Sequence, residues 1–493
     1  MKKSFFIFSF IFLANFLFAQ GLENSLNQEN QRNLFERNSD LEKFDFSLGS
    51  LNAQDFLTVA FIASGLNLEN SLTYVEKAEN LFNQFKNQYL ENQSFSENFS
   101  ENQQINQQEN AKNALFFLYE NLFTKYSELQ TLVNVAFDNG TYNCVSSDVI
   151  YVYFAKKLGL NVVSVETPEH AFCSIYFSSA FDNSANKIDV ETTNPYGFNP
   201  GEKQNLSQKN AWVVVPQRKY RNRHEISDAR LVSLIYNNRI SSLQRQRKNF
   251  QAASLAFDAM FVQNYSDESK NLFFHCIENH IADLENLRQR DEAIKFIRQA
   301  IFQFGKENIL SQNVTAVVNN KVGELLRQNK TQEASKFLTE NEDLISRADF
   351  LSLNESITVN FLNDLIDSED FDVAKQNLEE NKQNLSTKNY SNLFTKLYSK
   401  EADRISKENL LDAADFLKTS MAENKSENRN ATLQNQRNVY LHNFEVLIHN
   451  QVATLVNERN YSEAQKILED ALSQIENSRI LLNDLNRLRR IVQ

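Results

Sequence analysis

The chain has 493 residues, 41% of them hydrophobic and 23% charged, a globular composition with length for about three domains. Only 9 Gly and 4 Pro are present, too few for the many tight turns of a sandwich or barrel, so an all-β fold is disfavoured and long helices are expected. A net charge of −12 argues against nucleic acid as a partner, and 3 Cys cannot form a disulfide framework.

Met1-Lys2-Lys3 precedes an apolar run from Ser4 to Phe18 that closes on Ala19. This predicts a signal peptide over 1–19, cleaved after Ala19, and an exported chain, periplasmic or secreted, with no integral membrane span after signal removal. Residues 20–110 read as a helical lead-in. Phe56 to Leu90 has helical periodicity, with Phe56, Val59, Ala60, Ile62 and Ala63 on one face. Glu91 to Asn110 is so rich in Asn, Gln, Glu and Ser that a solvated loop is expected.

Residues 111–220 read as an α+β core. Ala114 to Phe137 predicts a helix, and Val145 to Leu158 an amphipathic helix closed by Gly159. Strands are expected at Asn161–Val165, Ala171–Phe177, Lys187–Glu191 and Ala211–Val215. From 225 to 493 a helical signature recurs around Ala253, Ala293, Ala334, Ala374, Ala414 and Ala464, at separations of 40, 41, 40, 40 and 50 residues. A small residue at a fixed place lets paired helices approach closely, and a helical pair at a fixed period predicts an α-solenoid of helical hairpins. The signature resembles tetratricopeptide repeats, although the spacing departs from the 34 residues usual in that class.

Three residues carry the candidate chemistry. Cys144 opens the helix Cys144-Val145-Ser146-Ser147-Asp148, where unpaired N–H groups and the positive end of the helix dipole favour a nucleophilic thiolate. His170 starts a strand and suits a general base. Asp189, on the next strand, is the expected carboxylate partner that orients the imidazole. Glu191 is the alternative, because it lies two residues on and shares the strand face, so register decides. Oxyanion donors are sought just upstream of the thiol: Asn143, Asn139 or Tyr142, together with the Cys144 backbone N–H.

Cys144 at a helix start, Pro168-Glu169-His170-Ala171-Phe172, and Ile188-Asp189-Val190-Glu191-Thr192-Thr193-Asn194-Pro195 together resemble the transglutaminase-like cysteine superfamily. Phe172 stands where that family often has Trp, and Asp189 is followed by Val-Glu-Thr-Thr rather than Pro-Thr. The resemblance, over Gly140 to Gly201, implies a papain-like α+β fold, Cys144 as nucleophile, His170 as base, Asp189 as its orienting residue, and no cofactor. It implies a thiol enzyme acting on amide or peptide bonds of a protein or peptide substrate through an acyl-enzyme intermediate, exported if the signal over 1–19 holds. The repeats are expected to recruit a protein partner. The alternative is a non-catalytic envelope scaffold or binding protein on the same fold.

Other features have blander readings. Cys173 lies an odd offset from His170 and is expected to face away from Cys144, against a disulfide between them. Cys276, beside His275 and near His280, lacks metal-ligand spacing, so no metal is expected. His224, His442 and His449 are read as surface or packing residues. The basic run Arg218-Lys219-Tyr220-Arg221-Asn222-Arg223 is read as a solvated junction or an anchor for an acidic partner, and Asn194–Gly201 as a cleft rim or a connector.

Overall fold

A computed structural model describes residues 33–90, 101–177, 186–206, 211–423, 427–475 and 477–492. The signal segment expected over 1–19 lies outside the described residues. The fold is mainly α with a small sheet region, and the chain divides into two compact units, Met1–Asn313 and Val314–Gln493.

In the first unit the lead-in forms two helices rather than one, Ala53–Ala63 and Leu68–Tyr89, capped by the side chains of Asn52 and Asn67. Each Asn accepts from an N–H of the first turn, satisfying one of the donors that a helix start leaves unpaired. Between them Gly65 takes φ +105. The expected loop at Glu91–Asn110 is corrected in its second half: Glu101–Asn121 is a helix. Its polar start hides the apolar residues that follow, and Ala111, Ala114, Leu115, Phe117 and Leu118 are buried. The single helix expected over Ala114–Phe137 is also corrected. After Asn121 the chain makes strand β1 (Lys125–Tyr126), then a short helix, Val133–Asn139.

Strand β2 (Thr141–Tyr142) pairs in parallel with β1. The Cys144–Lys157 helix follows, and Gly159 takes φ +70 after it, as the sequence predicts. It is not amphipathic: every residue from Val145 to Ala155 is buried. It is the central helix of the unit, packed between the sheet and the lead-in helices.

The sheet has the order β5–β4–β3–β8, all antiparallel: β3 is Asn161–Thr167, β4 His170–Phe177, β5 Asn186–Val190 and β8 His224–Ile226. A hairpin of β6 (Lys203–Leu206) and β7 (Ala211–Val214) stands apart from it. The unit continues into helical hairpins from Asp228 to Ile309, and Phe35 threads back among them. The Phe35 ring contacts those of Phe250, Phe257, Phe273, Phe296 and Phe304, while Gln303 bonds both its N–H and its C=O. That cluster anchors the segment near the start of the described chain against hairpins more than two hundred residues away.

The six alanines at the recurring period are all fully buried, each in the first turns of the second helix of a pair. The turns before five of them are alike. Arg247, Arg288, Asn329, Glu369 and Arg459 take left-handed backbone, with φ between 56 and 64. The next residue donates its N–H to a leucine carbonyl five positions back: Leu243, Leu284, Leu325, Leu365 and Leu455. This is a Schellman closure, and it repeats without glycine.

In the second unit, Ala374 packs with Phe371, Leu378, Leu393 and Phe394 in one apolar cluster, and Ala464 and Leu468 belong to another. Because the alanine sets how closely the paired helices approach, Ala374→Leu is expected to destabilise the second unit by about 1–3 kcal/mol. Urea unfolding of the full chain checks this, and an unchanged transition would mean that the position does not set helix spacing.

Candidate functional site

The site begins with the cap of the central helix. Asn143 Oδ1 accepts from the N–H groups of Val145 and Ser146, both at 3.0 Å, and the Asn143 N–H donates to Ser146 Oγ at 2.9 Å. Asn143 Nδ2 donates to the Glu128 carbonyl at 3.2 Å. This reciprocal capping box holds Cys144 at the first helical position. It also corrects the reading of Asn143 as an oxyanion donor, because the side chain is buried and its amide is committed to holding the cap. The Cys144 backbone N–H is one of the first-turn donors that the helix itself leaves unpaired.

Cys144 is half-buried, whereas Cys173 and Cys276 are buried, and all three are free thiols. The Cys144 thiol neighbours the His170 ring and favours its protonated form. On its other side that ring meets a carboxylate, which belongs to Glu191: His170 Nε2 lies 2.8 and 2.9 Å from the two Glu191 oxygens. The expectation that Asp189 orients His170 is therefore corrected. Strand register is the reason. Ser174 pairs with Asp189 and Cys173 with Val190, which puts Asp189 four residues along β4 from His170, about 13 Å away. Glu191, the first residue beyond β5, comes level with Phe172 and within reach of the imidazole.

Asp189 has different work. Arg223 grips it through two nitrogens at 2.9 and 3.0 Å, and Ser174 Oγ donates to it at 2.7 Å. Partial burial alone would raise its carboxyl, but the Arg223 and Ser174 hydrogen bonds hold it below the usual range.

Glu191 is saturated with donors. Thr193 Oγ1 donates to Oε1 at 2.6 Å and Tyr220 OH to Oε2 at 3.0 Å, in addition to the imidazole. Burial opposes its charge, yet the His170 bond, reinforced by Thr193 and Tyr220, lowers its pKa. For His170 burial likewise disfavours the charged form, but the neighbouring Cys144 thiol and the bonds to Glu191 outweigh it and push the ring up to about 9. The His170 contribution is therefore full below the ordinary imidazole value of 6.5 and lost as pH rises through about 9, while that of Glu191 is full above its ordinary value of 4.5 and lost as pH falls through its lowered pKa.

The loop after β5 holds Glu191 in place. The Glu191 N–H donates to the Gly197 carbonyl at 2.8 Å, and the Asn199 N–H to the Asp189 carbonyl at 3.0 Å. A Cβ on Gly197 would stand 1.9 Å from the Glu191 carbonyl oxygen, so only glycine fits there. Asn194–Gly201 is thus a clamp on the carboxylate. Beneath it, Thr192 Oγ1 bonds Ser147 Oγ of the central helix at 3.1 Å, and the Thr192 carbonyl accepts from Tyr119 OH at 3.0 Å.

Below the pair lies Asp148, one turn after Cys144 and fully buried. Neither of its oxygens has a partner at hydrogen-bond distance among the described residues. Burial pushes its carboxyl up to about 7, offset in part by the neighbouring Ser164 hydroxyl, the Cys173 thiol and the charge of His170. Burial also raises the Cys173 thiol well above its ordinary value, with Asp148 adding to the effect. Cys276 takes a hydrogen bond from Gln244 Nε2 at 3.4 Å, and burial raises its thiol to about 12. Among the described residues no group of three or more His, Cys, Asp or Glu is placed to hold a metal ion.

No protein-family model and no curated protein sequence matches the chain. A crystal structure of menin, described as revealing the binding site for Mixed Lineage Leukemia (MLL) protein, is similar over 79% of this chain and 92% of that chain, at 13% identity and a TM-score of 0.25. A likeness at that score carries no argument about fold or function.

The geometry separates the two carboxylates experimentally. Glu191→Gln is expected to slow alkylation of Cys144 by iodoacetamide at neutral pH about tenfold or more, because the imidazole loses its countercharge. Asp189→Asn is expected to change the rate by less than about threefold. Peptide mass spectrometry of the labelled chain reads both, and the reverse order would contradict the assignment.

Proposed function

We propose that the chain is an exported thiol enzyme of the transglutaminase-like type, with an α-solenoid of tetratricopeptide-like hairpins in its C-terminal part. The observation that carries this reading is the His170 imidazole bonded to the Glu191 carboxylate and neighbouring the Cys144 thiol, which opens a buried helix. A proton resting on His170 leaves the sulfur as nucleophile, and Glu191 fixes the ring by holding Nε2.

The chemistry that follows is acyl transfer. The Cys144 sulfur adds to an amide carbonyl, and the oxyanion is met by the Cys144 N–H. His170 gives its proton to the departing amine as the C–N bond breaks, leaving a thioester on Cys144. The acceptor, water or an amine, then loses a proton to His170 as it attacks the thioester, and the acid or the new amide departs. Water makes the protein a peptidase or amidase, and an amine makes it a cross-linking acyltransferase. The helical hairpins would recruit the protein partner or substrate. Export rests on the basic and apolar start of the sequence, and no helix among the described residues is long and apolar enough to cross a membrane.

A second reading, a non-catalytic scaffold on the same fold, draws on one observation: the side chain of Asn143 is consumed by the helix cap, leaving a backbone N–H as the oxyanion donor in evidence. A thiol-directed acyl probe distinguishes the two. The enzyme reading predicts labelling of the mature protein that is lost in Cys144→Ala and reduced at least about tenfold in His170→Ala. Labelling spread equally over Cys144, Cys173 and Cys276, or none at all, favours the scaffold.

A further inference from the structure

The segment between β7 and β8 is laid across the candidate site, and it is fastened at both ends. Before it, the Gly201 N–H donates to the Val215 carbonyl at 2.8 Å. After it, His224 enters the sheet opposite Glu166. In between, Arg223 holds Asp189 through two nitrogens, and its guanidinium lies 5.2 Å from the centre of the Phe172 ring. These contacts place Tyr220 directly on the imidazole. Its ring stacks on His170 with centroids 5.5 Å apart and planes at 24°, and on Phe172 at 5.1 Å and 27°. Its hydroxyl donates to Glu191 Oε2 at 3.0 Å.

We propose that Tyr220 is a positioning residue for the thiol chemistry, a strap whose ring blocks rotation of the His170 imidazole and whose hydroxyl keeps the Glu191 carboxylate turned toward Nε2. The proposal rests on the thiol-enzyme reading and deepens it. An imidazole can rotate about its bond to Cβ, and a single hydrogen bond to a carboxylate that is itself free to turn restrains it weakly. Here the carboxylate is held by three residues: His170, Thr193 through both its hydroxyl and its N–H, and Tyr220. Thr193 is two residues from Glu191 and moves with it. Tyr220 is 29 residues away in sequence, so its bond ties the carboxylate to a separate part of the chain.

The groups that set the charge of the imidazole are few. Cys144 and Asp148 approach from the central helix, and Glu191 from beyond β5. Arg223 is paired with Asp189.

The test is carboxymethylation of Cys144 by iodoacetate between about pH 5 and 10, followed by mass spectrometry of the Cys144 peptide. The wild-type protein is expected to give a bell-shaped profile whose alkaline limb follows His170, and His170→Ala is expected to abolish that limb. In Tyr220→Phe the stack stays and the hydroxyl is lost. The rate at neutral pH should fall about fivefold, with the alkaline limb moved down by about half a pH unit or more. In Tyr220→Leu both contacts go, and the loss should be larger in the same direction. A structural residue would lower the melting temperature without moving the limb. If the wild-type profile is bell-shaped and depends on His170, but Tyr220→Phe superimposes on it, the strap is overturned and the enzyme reading stands. A wild-type profile that is monotonic and indifferent to His170→Ala overturns both.

Discussion

One proton, held on a largely buried imidazole, organises the site. His170 has 13% of its side chain exposed and Glu191 14%, so neither charge could persist there alone. Removing the carboxylate would leave the ring to lose its proton to burial. Removing the imidazole would leave a buried anion held by two hydroxyls and the Thr193 N–H. Each surrounding element serves that pair. The β4–β5 register brings Glu191 level with Phe172, Gly197 lets the following loop close against the Glu191 backbone, and Ser147 ties that loop to the central helix. The thiol is delivered separately, by a helix whose start is fixed by a capping box.

The neighbourhood is costly to maintain. Asp148 is fully buried without a hydrogen-bond partner among the described residues, and its pKa is raised to about 7. Relative to the unfolded chain, where an aspartate ionises near 3.8, stability is lost as pH climbs from that value toward 7. This loss comes at lower pH than that of the His170 contribution, which begins above the ordinary imidazole value of 6.5. Both groups lose stability as pH rises, Asp148 because burial penalises its charged form and His170 because its bonds favour the charged form that alkali removes.

Much of this arrangement is legible in the sequence, for identifiable reasons. The β-branched run Asn161–Val165 and the alternation from Ala171 to Phe177 mark β3 and β4. Gly159 marks the end of the central helix, and the six alanines mark the second helices of the hairpins. Cys144 and His170 stand out because each begins an element, and the structure brings them together. The identity of the carboxylate is not legible. Asp189 and Glu191 share a strand face, and only the pairing of Ser174 with Asp189 decides which one meets the imidazole. Asn143 reads as an oxyanion donor until its side chain is seen capping the helix and bonded to Glu128. The helix from Glu101 is hidden by a polar opening whose buried residues begin only at Ala111. Tyr220 has no signal in the local pattern, because its role comes from a contact across the chain, although the basic run that contains it is visible.

The claim on which the account depends is that His170 carries its proton between Cys144 and Glu191 at neutral pH. Titration of the His170 ring by NMR, using selectively labelled histidine with the His170→Ala spectrum to assign it, measures this directly. The account predicts a transition near 9 that falls toward the ordinary value of 6.5 when Glu191 is changed to Gln. A transition at or below 6.5 in the unmodified protein, unmoved by that change, would contradict it.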